Sequence, residues 1–156
     1  MWLYLDNCAI QRPLDDRSQL RVQAEAEAVL GLLDRCQRGQ LRLVSSGVHV
    51  LENQKSPHND RRAHVQDVLA LSRLYITRTP SMLKRAQGYV AAGIKQFDAL
   101  HLASAVEASL VETGDLYFCT TDDKLLRKGN VVETRRVVVA SPLELVILLD
   151  QTGLQP

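Results

Sequence analysis

The sequence predicts an α/β fold: a three-layer α/β/α sandwich built on a mainly parallel central sheet. Three observations predict it. Short apolar runs recur at residues 2–5, 41–45, 75–77, 116–119 and 137–139. Segments with apolar residues at helical spacing separate them. Strands that alternate with helices in this way need helical crossovers, which run the strands parallel and cover both faces of the sheet.

Trp2-Leu3-Tyr4-Leu5 is the first strand and ends at Asp6. Asn7 to Ile10 either continues it or turns. Arg12-Pro13-Leu14-Asp15-Asp16 is a loop, because proline ends regular pairing. Residues 18–38 form a helix with Val22, Ala26, Val29, Leu30 and Leu33 at helical spacing, and Gly39 stops it. The second strand, 41–45, leads into Ser46-Gly47. A short helix follows, capped near Ser46, with Glu52 one turn after Val48; continuation of the strand is the alternative. Lys55-Ser56-Pro57-His58 breaks the chain. Residues 59–74 are a helix with Val65, Val68, Leu69 and Ser72 on one face. After the strand at 75–77, Thr79-Pro80 starts a helix carrying Met82, Ala86, Tyr89 and Val90, and Gly93 ends it.

The next stretch, 97–124, is where the chemistry-bearing residues concentrate. Asp98 stands at the start of a helix whose Ala99, Leu102, Ala103, Val106 and Leu110 share a face. Aspartate there is ordinarily an N-cap, although His101 occupies the place where a capping box has Glu or Gln. Leu116 to Cys119 is a buried strand that breaks into Thr120-Thr121-Asp122-Asp123, a polar turn opening another helix. Residues 137–139 are the last strand. Ser141-Pro142-Leu143-Glu144 then combines a cap, a first-turn proline and a capping-box glutamate. Residues 1–150 read as one domain and 151–156 as a frayed tail.

A chain of 156 residues can bury a full core. A net charge of +1 does not by itself announce a nucleic-acid partner, and six aromatic residues besides one tryptophan leave little for base stacking. Basic residues do cluster, at Arg12, Arg17 and Arg21, at Arg61 and Arg62, and at Lys124, Arg127 and Lys128. Such groups are solvated faces unless folding aligns them. No segment approaches a membrane span, and the apolar residues after Met1 are too few for a signal peptide. Cys8, Cys36 and Cys119 are widely spaced, without a Cys-x-x-Cys pair, and read as reduced, buried thiols of a cytoplasmic protein.

Four acids fall at comparable places. Asp6 ends the first strand, Glu52 follows the second, Asp98 heads a helix, and Asp122 (or its neighbour Asp123) follows the strand at 116–119. Sites in open α/β sheets form outside the carboxyl ends of strands. With the first strand central, these ends meet. Carboxylates sharing a cleft resist ionisation, and a divalent cation relieves them. Oxygen donors without soft ligands suit Mg²⁺ or Mn²⁺. Such ions position a water and stabilise the oxyanions of phosphodiester displacement. Cys8 with His101 is a competing thiol pair of lower rank.

Leu3-Tyr4-Leu5-Asp6-Asn7, Glu52, Phe97-Asp98-Ala99-Leu100-His101-Leu102-Ala103 and Phe118-Cys119-Thr120-Thr121-Asp122 together resemble the PIN-domain nucleases, and among them bacterial VapC-type toxins. The resemblance runs nearly end to end. It implies a Mg²⁺- or Mn²⁺-dependent endoribonuclease that cleaves single-stranded RNA, with Asp6, Glu52, Asp98 and Asp122 as catalytic, metal-holding acids. It also implies a homodimer and an antitoxin partner. Asn7 and Thr120 would support the site; the family more often has Thr or Ser where Asn7 stands, and an apolar residue where Asn53 stands. Asp15, Asp16, Asp115 and Asp123 read as surface or turn residues, and His49, His58 and His64 as structural or exposed; His101, one helical turn from Asp98, reads either as a support behind the site or as a packing residue. Two other classes remain: a PIN-like module that binds RNA or protein without cutting, and a metal-dependent phosphatase or receiver-like phosphate handler. Against the latter, Cys8 stands where a phosphatase would want a second Asp.

Overall fold

The computed structural model describes residues 1–153. Five strands, β1 (Trp2–Leu5), β2 (Arg42–Ser46), β3 (Leu74–Ile76), β4 (Leu116–Cys119) and β5 (Val137–Ala140), form one sheet in the order β3-β2-β1-β4-β5. Every pairing is parallel. The helices are α1 (Asn7–Gln11), α2 (Leu20–Gln37), α3 (Gly47–Gln54), α4 (Asn59–Leu69), α5 (Pro80–Ala91), α6 (Gln96–Val111), α7 (Asp123–Gly129) and α8 (Pro142–Gln151). The predicted α/β/α sandwich is the fold observed.

Alternation along β1 divides the core. Trp2 and Tyr4 join Val44, Phe118 and Val139 on the face covered by α3, α5, α6 and α7. Leu3 and Leu5 join Leu43, Tyr117 and Cys119 on the face covered by α1, α2, α4 and α8. Successive strand residues point to opposite sides, so a strand apolar at every position must be covered twice. After β3 the chain recrosses the sheet to lay β4 on the other side of β1. The strand order therefore reverses at β1. There the Asp6 amide donates to the Cys119 carbonyl at 3.2 Å, which brings the ends of β1 and β4 together.

Several elements depart from the sequence expectation. Asn7 begins a helix rather than extending the strand, because the Asp6 side chain caps it. The loop after it contains a single 3-10 turn at Arg12–Leu14, which Pro13 tolerates because its missing N–H lies at the turn's start. The helix expected over 59–74 ends at Leu69; Arg73 N–H already pairs with the Leu43 carbonyl, and β3 follows. The α2 helix is shorter at both ends than 18–38, and Gly39 takes φ 75° just beyond its cap. Helix α6 is buried nearly all round rather than along one face, while Leu110 on the expected face is exposed. Leu30 and Val90 are likewise exposed. The tail expected over 151–156 begins later, since Gln151 closes α8; residues 154–156 lie outside the described residues. Among the described residues, no helix is long and apolar enough to cross a membrane.

Candidate functional site

Asp6 leaves β1 and becomes the N-cap of α1, its Oδ1 accepting the Ala9 N–H at 2.8 Å. Its Oδ2 is buried, and the Thr120 hydroxyl lies beside the carboxylate. Burial pushes the Asp6 carboxyl up to about 6, against the pull of the neighbouring Thr120 hydroxyl, the Ala9 N–H and the His101 ring; Asp98 pushes it further up. Asn7 is buried beside it, and neither polar atom of its amide has a hydrogen-bond partner of good geometry.

Glu52 lies on α3, whose start is set by Ser46: His49 Nδ1 accepts the Ser46 N–H at 3.1 Å, so histidine does here what Glu or Gln does in a capping box. Burial raises the Glu52 carboxyl, but the His101 hydrogen bond and charge, with the nearby Asn7 amide, outweigh it and the net shift is downward. The contact from His101 Nε2 to Glu52 Oε2 is 3.2 Å. Asn53, which broke the family pattern, is buried and donates to the Arg62 carbonyl at 3.2 Å, tying α3 to α4.

Asp98 is not the helix cap. Lys95 holds that position, and Asp98 is the third helical residue. Its side chain therefore answers no backbone N–H and projects into the cleft beside Asp122. Burial raises its carboxyl and Asp122 raises it further. Asp122 does cap a helix: Oδ1 accepts from the N–H groups of Lys124 at 2.8 Å and Leu125 at 3.1 Å. Thr120, fully buried, accepts the Asp122 N–H at 3.1 Å and so fixes the turn.

Geometry brings the candidate acids to one end of the sheet: the Asp6 N–H pairs with Cys119 at the end of β4, Asp98 and Asp122 line one cleft, and Glu52 meets His101, one turn after Asp98 on α6. Partial desolvation, and then the charges of these acids, raise the Cys8 thiol. Cys8 itself is exposed, unlike Cys36 and Cys119, because it sits on the open side of the short helix α1. His101 does not pair with it; its nitrogens contact Glu52 and Tyr4. Asp98 and Asp122 share one cleft with Lys95 and Lys124. Asp122 also borders an adjoining cleft of about 330 Å³ lined by Cys8, Arg12 and Arg61. Among the described residues, no group of three or more His, Cys, Asp or Glu lies close enough together to hold an ion directly.

Asp123 points elsewhere. It forms a two-pronged pair with Arg21, at 2.6 and 2.8 Å, and Arg21 and Arg12 both reach the buried Glu25 at 2.8 Å. Part of the basic cluster read from the sequence thus holds α2 against the start of α7. Of the layer beneath the acids, sequence reading offered only His101 and missed its partners. Tyr4, His101, Ser46 and His49 form a buried polar and aromatic group. The available signals were the alternation that turns Tyr4 to the α6 side and the one-turn spacing of Asp98 and His101.

No family model matches the sequence, and no curated protein does. Among solved structures, a chain in the crystal structure of VapBC2 from Rickettsia felis bound to a DNA fragment from their promoter matches with a TM-score of 0.57, over 90% of this chain and 98% of its own. Sequence identity is 13%, so the likeness is one of fold: this chain shares the α/β architecture of a chain in a VapBC2 complex.

Proposed function

We propose that the chain is a Mg²⁺- or Mn²⁺-dependent endoribonuclease for single-stranded RNA, of the VapC-type PIN class. The observation that carries this reading is the placement of the four acids around the point where the strand order reverses: Asp6 follows β1 where it pairs with the end of β4, Asp98 and Asp122 line one cleft, and Glu52 meets His101, one turn after Asp98 on α6. The donor set fits a hard cation. All four ligands are carboxylates, and among the described residues the buried Asp6 has no ion pair to offset its charge. Among the described residues, direct coordination by three side chains is not preformed.

A cation held there would activate a water and offset charge on the phosphodiester oxygens. The protein's own residues prepare the rest. Helix caps hold Asp6 and Asp122 in fixed orientations. Lys95 and Lys124 line the cleft with Asp98 and Asp122 and attract a phosphate backbone. Exhaustive chelation is expected to abolish cleavage of a single-stranded RNA, and added Mn²⁺ to restore it. Full activity after chelation would reject the reading.

The VapBC2 complex named above contains two proteins and DNA; by analogy this chain would bind an antitoxin, and as the resemblance implies it would form a homodimer. Light scattering should give twice the 17.4 kDa chain mass across a wide concentration range, and a monomer throughout contradicts the dimer. The lack of a gathered three-residue metal group favours a second reading, a module that binds RNA without cutting. Retained RNA binding with no cleavage at any Mn²⁺ concentration would select it.

A further inference from the structure

We propose that His101 and Tyr4 form a buried relay that positions the Glu52 carboxylate for cation binding; this rests on the metal-dependent reading above. Glu52 is a long side chain on the eight-residue helix α3, and holding one rotamer costs it entropy unless a partner fixes it. His101 is that partner, at 3.2 Å through Nε2. An ionised carboxylate only accepts hydrogen bonds, so Nε2 carries the proton. In the neutral ring Nδ1 is then an acceptor, and the Tyr4 hydroxyl donates to it at 2.7 Å. The Ser46 hydroxyl, 2.8 Å away, is the donor available to the Tyr4 oxygen.

Every member beneath Glu52 is shut away from water: Tyr4 is 0% exposed, and His101 and Ser46 are 1%. The rings are packed as well as bonded. Tyr4 stacks on Phe118 at 5.5 Å between centroids and meets His101 edge-on at 5.7 Å. His49 does not compete for Glu52. It accepts the Ser46 N–H at Nδ1, so its Nε2–H donates to the Leu5 carbonyl at 2.7 Å. Burial pushes its ring down to about 3, which keeps it neutral. The effect is that α6, which carries Asp98, also places Glu52 from α3. Partners behind metal-holding side chains fix their orientation in this manner, and their loss lowers metal affinity or activity by ~10–100-fold.

The test uses the full chain, with Mn²⁺ alone as ligand. His101→Leu is expected to weaken Mn²⁺ binding in calorimetry ~10–100-fold and to raise the Mn²⁺ concentration for half-maximal RNA cleavage in step. His101→Gln, which retains a donor near the Nε2 position, should recover most of the affinity. Tyr4→Phe removes one oxygen from the relay and should weaken binding less, in the same direction, so the proposal remains exposed if His101→Leu does not fold. In the chelated parent at pH 8, nitrogen NMR should find the His101 proton on Nε2; a proton on Nδ1 overturns the relay. A folded His101→Leu that binds Mn²⁺ as the parent does overturns the positioning role alone. A parent that binds no Mn²⁺ overturns the functional reading and this proposal with it.

Discussion

Asp6→Asn and Asp98→Asn are each expected to abolish most RNA cleavage, by at least ~100-fold, since even residues behind a metal ligand cost 10–100-fold. Neither should unfold the protein. Asparagine keeps the side-chain oxygen that receives the Ala9 N–H at the start of α1, and Asp98 receives no backbone N–H at all. In chelated protein at neutral pH, both variants should melt at or above the parent. The sign follows from the direction of the shifts. The folded Asp6 carboxyl titrates at about 6 against an ordinary value of 3.8, so the folded state holds its proton longer than the unfolded chain does. Stability of the chelated parent therefore falls as pH rises from about 4 to about 6 and levels off above that. Asp98 acts in the same direction and Glu52, held down by His101, opposes it. For the fully buried Asp6 alone the gap amounts to about 3 kcal/mol above pH 6. Asp6→Asn removes that slope. Denaturant melts of parent and variant between pH 4 and 8 check this, and a large loss of stability with cleavage retained would show Asp6 to be a structural cap.

Asp122→Asn should cost cleavage and Mn²⁺ affinity, whereas Asp123→Asn should cleave at close to the parental rate. Asp122 faces the cleft it shares with Asp98 and raises the Asp98 carboxyl, while Asp123 turns outward onto Arg21. Consecutive residues at a helix start differ by roughly 100° in direction, so one cation cannot draw on both. Asp122→Asn retains an acceptor for the Lys124 and Leu125 N–H groups, and α7 should persist. Asp123→Asn releases a solvent-exposed pair, where screening leaves little to lose. Cleavage at saturating Mn²⁺, with calorimetric Mn²⁺ titration of both variants, checks the pair. Loss of both functions in Asp123→Asn with normal Asp122→Asn would shift the site by one residue.

The fold was legible because its signals are local. Runs of four or five apolar residues at 2–5 and 116–119 mark strands buried on both faces, and Ser141-Pro142-Leu143-Glu144 marks a helix start wherever it occurs. The boundaries were less so. Leu74 was placed at the end of the helix whose Val65, Val68, Leu69 and Ser72 share a face, yet β2 supplies a pairing partner that no local pattern contains. Leu110 has the helical spacing of a core residue and lies in solvent: at the last turn of α6, Ala108 and Ser109 are buried while Leu110 and Val111 reach past the neighbouring elements.

For the candidate site, sequence alone supplied the acids: Asp6 at a strand end, Glu52 in the segment after the second strand, Asp98 near a helix start and Asp122 after a strand, with no soft ligand among them. Which acid caps a helix and which projects freely was decided by tertiary structure. Asp98, the expected cap, is free because the helix begins three residues earlier, and Asp6, expected only to end a strand, caps α1. The convergence itself follows from the strand order, which sets β4 against β1 rather than against β3. The Glu52–His101–Tyr4–Ser46 chain joins residues up to 97 positions apart. Hydrogen bonds of that reach leave no periodic trace in a sequence, because their geometry exists only once two faces of different elements have packed together.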